Sequence, residues 1–278
     1  MAPTEAVFYW AALALYALAS AGLVYAFVFR NERFIPRMLV LTALAFVLHT
    51  CAIAARYAAQ GHLPWAGDYE TSLACAWFIV ALTFAASWRT PALRALSVGT
   101  VPLVVLLMGF GVTRNPTLGP LAASLRSGWL VVHVFFAWLA FGAYGLATAG
   151  GIAHELKRRG VRRAERNPAW DRLPALERLD ELIFRWILFG FIADTVMIAS
   201  GAIWARDLWG SYWSWDPVEV WSLVVWLSYG LAIHLRLTRG WKGAPFARVA
   251  IAAITGMFVT FFGVSFMVEA SSHVFNVR

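Results

Sequence analysis

Eight long apolar segments dominate the sequence and restrict the folds that it can adopt. They occupy residues 7–29, 39–55, 75–88, 96–111, 128–153, 183–205, 218–235 and 249–268. Most of them reach the roughly 20 residues that a helix needs to cross the hydrocarbon core of a bilayer. The segment at 75–88 is shorter, but its helix can begin near Tyr69. We therefore expect an all-α, polytopic integral membrane protein with about eight transmembrane helices.

The composition supports this expectation, since 61% of the residues are hydrophobic and only 14% are charged. A soluble domain is usually about half apolar and about a quarter charged, so the additional apolar side chains belong in lipid. The eight segments use most of the chain, which favours a single transmembrane domain over residues 1–278. The first segment is too long for a cleavable signal peptide and follows Glu5 instead of a basic stretch. Cys51 and Cys75 form no CxxC pair, so thiol–disulfide chemistry is not expected.

Lysine and arginine residues are distributed unequally between the predicted loops. With the N-terminus outside, the inner segments hold 18 of the 23 basic residues and the outer segments hold 5. Because cytoplasmic loops carry an excess of basic residues, both termini are expected on the extracytoplasmic side. Contact with acidic lipids explains the basic stretch at 157–185, so the net charge of +8 does not indicate a nucleic-acid partner. Within that stretch, residues 171–181 have a spacing that predicts a short surface helix.

Six of the 15 tryptophans lie between residues 204 and 226, where an even distribution would put about one. They are Trp204, Trp209, Trp213, Trp215, Trp221 and Trp226. An aromatic belt at the level of the lipid headgroups explains two or three of them. It does not explain Trp209, Trp213 and Trp215 in a predicted loop beside Asp216. A flat aromatic surface outside the membrane suits a large, planar, apolar ligand.

The residues after this loop have the pattern of a helix N-terminus. Asp216 is predicted to cap the seventh span, Pro217 occupies the favoured first helical position, and Glu219 completes a capping box. Both carboxylates are poor direct partners for an anionic ligand. We therefore expect Asp216 and Glu219 mainly to hold the aromatic loop in place.

Two of the six histidines are predicted close to the tryptophan-rich segment. His133 lies five residues into the fifth span, which puts it roughly 7 Å below the outer end of that helix. His273 follows the eighth span on the same side. Imidazole is a common iron ligand, and two imidazoles on opposite faces give a six-coordinate haem. His133 and His273 are therefore the candidate pair of metal ligands.

Other ionisable residues fall inside the predicted spans, where they are functional candidates by default. His234 lies near the inner end of the seventh span and His49 near the middle of the second. Either could bind a second haem in the bilayer. The alternatives are an interfacial residue beside Arg236 for His234 and a packed polar residue for His49. His62 and His154 are interpreted as solvated loop residues.

The tryptophan-rich segment resembles a known motif, WGSYWSWDPVEVWSL in this chain. It is similar to the "WWD" motif of haem-handling proteins in cytochrome c biogenesis, and most closely to the CcsA/ResC branch of the System II pathway. Four further segments resemble that branch: GHLPWAGDYETSL (61–73), GWLVVHVFFAWLAFGAY (128–144), WLSYGLAIHLRL (226–237) and FFGVSFMVEASSHVF (261–275). The sequence departs from the branch at Ser272 and Val274, where Gly-Leu-His-Ser-Tyr is usual, and at Asp68, where Asn is usual.

The resemblance implies a function and a set of site residues. His133 and His273 would be the axial ligands of an external haem b, and His234 would bind haem within the membrane, with His49 as a further candidate. The binding platform would comprise Trp209, Trp213, Trp215, Asp216 and Trp221. Haem would move outward across the bacterial plasma membrane and be joined through its vinyl groups to the CxxCH thiols of apocytochrome c. A CcsB/ResB-type membrane partner is expected, and no catalytic residue is, because the attacking thiols belong to the apocytochrome.

Three other functions compete with this one. A haem-delivery protein resembling CcmC usually has six spans, so the eight predicted here disfavour it. A cytochrome b-like electron-transfer subunit would place pairs of histidines on facing helices inside the bilayer. A transporter of another small molecule would leave the tryptophan-rich segment unexplained.

Overall fold

The computed structural model describes residues 1–29, 31, 33–65, 67–89, 91–114, 116–118, 121, 125–163 and 173–264, and all regular secondary structure among them is helical. The helices are α1 (Pro3–Val28), α2 (Phe34–Gln60), α3 (Asp68–Arg89), α4 (Ser97–Val112), α5 (Gly128–Arg162), α6 (Leu176–Trp209), α7 (Pro217–Arg239) and α8 (Ala244–Phe258). A 3₁₀-helix, Pro91–Leu96, precedes α4, and a π-helical turn, Val259–Gly263, follows α8. His273 lies outside the described residues.

Eight described helical segments are long and apolar enough to cross a membrane, with mean hydropathy between 1.5 and 2.2 in their most apolar windows. The prediction of an all-α, multi-pass membrane protein with about eight transmembrane helices is therefore confirmed. The fourth of these segments, Leu93–Val112, includes part of the 3₁₀-helix, and the eighth, Ala244–Gly263, includes the π-helical turn.

Helices α5 and α6 are longer than their apolar segments. α5 continues to Arg162, and α6 begins at Leu176, so the described part of the predicted surface helix at 171–181 is instead the start of a transmembrane helix. The expectation of a separate surface helix was wrong, because a helix can continue beyond the lipid with charged side chains. Glu181 pairs with Arg178 and Arg185 at helical spacing, which supports the first turns of α6 without apolar burial.

Helices α5 and α6 pack closely against each other in antiparallel orientation. Glycines allow the two helices to approach closely: a Cβ atom at Gly150 would lie 3.1 Å from Ile183, and one at Gly190 would lie 2.6 Å from the ring of Tyr144. We call the end of the bundle with the first turn of α5 and the last turn of α6 the tryptophan end. The opposite end is called the arginine end.

A buried ion-pair network closes the tryptophan end. Arg56, near the end of α2 and only 2% exposed, pairs through Nε with Glu70 of α3 at 2.6 Å and through Nη1 with Glu5 of α1 at 2.9 Å. Its guanidinium also donates to the carbonyl oxygens of Pro116 and Thr117, each at 3.3 Å. One side chain thus joins three helices to the segment between α4 and α5.

Candidate functional site

His133 belongs to α5, and its side chain contacts α6 at the tryptophan end. Its Nδ1 is 2.8 Å from the carbonyl oxygen of Met197 on α6. A carbonyl oxygen only accepts hydrogen bonds, so Nδ1 carries the hydrogen and the lone pair of the ring is on Nε2. Metal-binding histidines commonly have this arrangement, in which one ring nitrogen donates to a carbonyl and the other faces the metal.

A cluster of indole rings lies beside this histidine. The rings of His133 and Trp204 are nearly parallel, with centroids 6.4 Å apart, and Trp204 contacts Trp209 edge-on at 5.2 Å. Trp65, from the segment before α3, packs against the same apolar cluster, which also contains Leu125 and Leu130. Trp209 is the last residue of α6 and not part of a loop, because the helix continues further than its apolar segment. His133 on α5 therefore lies beside an indole cluster to which α6 and the segment before α3 contribute.

The loop between α6 and α7 presents a second pair of indoles. Trp213 and Trp215 meet edge-on with centroids 5.9 Å apart, and Trp215 is 71% exposed. Trp215 also has a φ of 62°, a left-handed conformation that is costly for a bulky residue. Such strain persists only where neighbouring contacts enforce it.

Glu219 supplies those contacts. Its carboxylate accepts from the backbone N–H of Ser214 at 2.8 Å, the hydroxyl of Ser214 at 3.1 Å and the N–H of Asp216 at 3.2 Å. Asp216 accepts from the N–H of Val218 at 2.9 Å, and Pro217 begins the helix. The predicted capping box is confirmed. The same carboxylates that begin α7 therefore fix the indole-bearing loop.

Trp221 and His234 both lie on the exposed face of α7. The face also carries Val224, Leu227, Leu231 and Leu237. Arg236 points to the opposite side, where it pairs with Asp180 at 2.8 Å. His234 therefore faces the lipid side of the bundle and not the environment of Arg236.

His49 has a different environment from the other candidate ligands. It is fully buried in α2, its Nε2 is 3.1 Å from the carbonyl oxygen of Leu73, and Tyr16 packs edge-on against its ring. Its Nδ1 has no hydrogen-bond partner among the described residues. Ligation of a metal by His49 would have to use Nδ1, so its role in binding stays a prediction.

Two other histidines differ from the sequence interpretation. His62 and His154 are buried and not solvated. His154 is buried because α5 continues past the end of its apolar segment. His62 lines a cavity of about 680 Å³ at the tryptophan end, together with Gln60, Trp65 and Arg126. The shared Trp65 places this cavity next to the indole cluster of His133.

Comparison with known proteins identifies the family. The family model described as "Cytochrome C assembly protein" matches residues 65–271, which is most of the chain and includes His133, the tryptophan-rich segment and His234. The chain belongs to this family. Helices α1 and α2 precede the matched region, and the Arg56 network joins them to it.

Curated members that are similar to this chain include CcsA proteins. The cytochrome c biogenesis protein CcsA of Parasynechococcus marenigrum is 34% identical over an alignment that covers 82% of this chain and 83% of that protein. The CcsA of Gloeobacter violaceus is 30% identical, with the same coverage of both chains. This member of the cytochrome c assembly family is thus of the CcsA type.

A solved structure shares the fold. The cytochrome c haem lyase CcmF superposes with a TM-score of 0.68 at 21% identity, over 92% of this chain and 46% of that one. The CcsA-type chain therefore spans about half the length of the CcmF protein that it resembles. At this identity the likeness concerns the fold alone.

Proposed function

We propose that this CcsA-type protein binds haem b at the extracytoplasmic side of a bacterial plasma membrane and presents it for covalent attachment to apocytochrome c. One observation carries the proposal: His133, within the family-matched region, has its Nδ1 held by Met197 and its ring beside Trp204. An oriented imidazole next to an indole surface fits an iron porphyrin, which needs an axial nitrogen ligand and apolar contacts to its faces.

His273 is proposed as the second axial ligand. The π-helical turn after α8 brings Phe262 against Phe110 of α4 and Phe141 of α5, and Phe110 lies two residues before the end of α4 at the tryptophan end. From Val264 the chain needs nine more residues to reach His273, and an extended chain of that length spans up to roughly 30 Å. This reach supports ligation from the same side as His133.

The exposed indoles of Trp213 and Trp215 are proposed to contact the faces of the porphyrin. Their loop is fixed by Glu219 before any ligand arrives, so little ordering is required on binding. Asp216 and Trp221 hold and flank this loop at the start of α7. The vinyl edges then stay accessible to the apocytochrome.

The chemistry needs no nucleophile from this chain. Each cysteine thiol of the CxxCH motif adds across a vinyl double bond, so that sulfur bonds to one carbon and hydrogen to the other. The contribution of this chain is to bind and orient the haem and to leave its vinyl side open. The histidine of the incoming motif would replace one of the two protein imidazoles.

His234 is proposed to bind haem inside the membrane together with a CcsB/ResB-type partner. Its exposed position on α7 supports this assignment, because a ligand on the lipid side of the bundle can be shared with a second membrane protein. The excess of basic residues in the predicted inner loops supports an extracytoplasmic tryptophan end.

Co-expression with an apocytochrome c and a ResB-type partner tests the function. Wild-type protein is expected to yield cytochrome with covalent haem, and His133→Gly is expected to abolish it. His154→Gln at the arginine end is the control and is expected to retain activity. Attachment at the wild-type level in His133→Gly would contradict the proposal.

A further inference from the structure

Gly201 of α6 lies directly against the imidazole of His133. A Cβ atom at this position would lie 2.5 Å from Nδ1 and 2.8 Å from Cε1 of the ring. Both distances are too short for real carbon contacts. Any other residue at 201 therefore displaces the imidazole.

The geometry of a helix links this glycine to the hydrogen bond of His133. In an α-helix the carbonyl group of residue 197 points toward the N–H of residue 201. An imidazole that reaches the carbonyl oxygen of Met197 from a neighbouring helix must therefore lie over residue 201. The missing side chain at Gly201 leaves the space through which Nδ1 approaches that oxygen at 2.8 Å.

The hydrogen bond determines two properties of His133. It places the hydrogen on Nδ1 and so keeps the lone pair on Nε2, and it fixes the rotation of the ring. The ring lies at 25° to the indole plane of Trp204 in this orientation. A shifted ring would lose both the defined tautomer and the stacking.

We propose that Gly201 is a positioning residue for the haem site, because its lack of a side chain allows His133 to donate to Met197 and so directs Nε2 toward the iron. This inference rests on the proposed function, in which His133 binds haem iron. Gly201 itself touches no ligand and acts through His133. Groups that orient a ligating histidine typically change metal affinity by about 10- to 100-fold when they are removed.

Close helix packing is the competing explanation for a glycine in α6, and Gly190 provides a matched control. Gly190 is on the same helix, three turns away, and a Cβ atom there would lie 2.6 Å from the ring of Tyr144 on α5. An alanine at 190 therefore clashes with an aromatic ring of the same neighbouring helix, as an alanine at 201 does. Only the alanine at 201 contacts His133.

The first test uses protein without haem. Nitrogen-15 NMR of histidine-labelled wild-type protein should show His133, assigned by the loss of its signals in His133→Gln, as the tautomer with hydrogen on Nδ1. Gly201→Ala should lose that single tautomer, whereas Gly190→Ala should keep it. Hydrogen on Nε2 of His133 in the wild type would overturn the inference even if the Gly201 variant failed to fold.

The second test measures haem affinity by titration of the purified proteins, read from the low-spin absorption spectrum. We expect about 10- to 100-fold weaker binding for Gly201→Ala and an unchanged affinity for Gly190→Ala. His133→Gly should lose the low-spin spectrum, and added imidazole should restore it. Suppose that His133→Gly behaves in this way. If Gly201→Ala then binds haem like wild type, or if Gly190→Ala loses as much affinity as Gly201→Ala, the inference about Gly201 fails and the proposed function stands. If His133→Gly is indistinguishable from wild type, both fail.

Discussion

The Arg56 pairs with Glu5 and Glu70 at the tryptophan end are buried, whereas the pairs of Glu181 with Arg178 and Arg185 at the arginine end are exposed. The arginine end also has one nearly buried pair, between Arg236 and Asp180. Buried charges that lose a partner are strongly destabilising, while exposed pairs contribute little. The buried Arg56 network therefore holds α1, α2 and α3 together at the tryptophan end before any ligand is present.

The candidate histidines His133 and His234 also differ in how firmly the protein holds their side chains. His133 at the tryptophan end is held by a carbonyl oxygen and an indole ring, while His234 faces outward on α7. Within the described residues, the protein itself orients the imidazole of His133, the first candidate ligand. The exposed position of His234 leaves room for a neighbouring molecule beside its imidazole.

Removal of the buried guanidinium should have the largest effect on stability. Arg56→Met takes the guanidinium away from two buried carboxylates, Glu5 and Glu70, and we expect the free energy of unfolding in detergent to fall by about 3–5 kcal/mol. Arg178→Met, at the arginine end, is the control and should leave the denaturation midpoint unchanged. Equal losses of stability in the two variants would remove the distinction between the buried Arg56 network and the exposed pairs of Glu181.

Loss of the Glu219 carboxylate should have the next largest effect. Glu219→Ala removes the acceptor for two backbone N–H groups and the Ser214 hydroxyl, which should cost about 1–3 kcal/mol. Hydrogen exchange of the amides at 210–216 should accelerate, while the amides around Arg56 stay protected. An unchanged exchange rate in the loop would show that Glu219 does not fix it.

The smallest effect is expected at the strained Trp215. Trp215→Gly should stabilise the fold by roughly 1–2 kcal/mol relative to Trp215→Ala, because only glycine adopts a φ of 62° without steric cost. Haem retention should fall in both variants, since both lose the exposed indole. Equal denaturation midpoints for the two variants would argue against backbone strain at this position.

Features that depend on local sequence were predictable. The spans follow from apolar length, and the capping box of Asp216 and Glu219 follows from residues three positions apart. The Arg56 network was not predictable, because its partners Glu5 and Glu70 lie on other helices and no local pattern indicates burial.

The site itself was only partly accessible from the sequence. The position of His133 beside the tryptophan-rich segment followed from counting residues along the spans. Its bond to Met197 and the need for Gly201 required the register between α5 and α6, which the sequence does not specify. Gly201 is one of 21 glycines, and nothing in its local sequence distinguishes it from the others.

Pulsed electron paramagnetic resonance of the ferric haem complex tests the central claim most directly, with nitrogen-15 in all histidines. If His133 and His273 bind the iron, the wild-type spectrum should show hyperfine coupling to two imidazole nitrogens, and His133→Gly should lose one of them. Identical couplings in wild type and His133→Gly would contradict the account, because the iron would then have no bond to the imidazole that Met197 and Gly201 position.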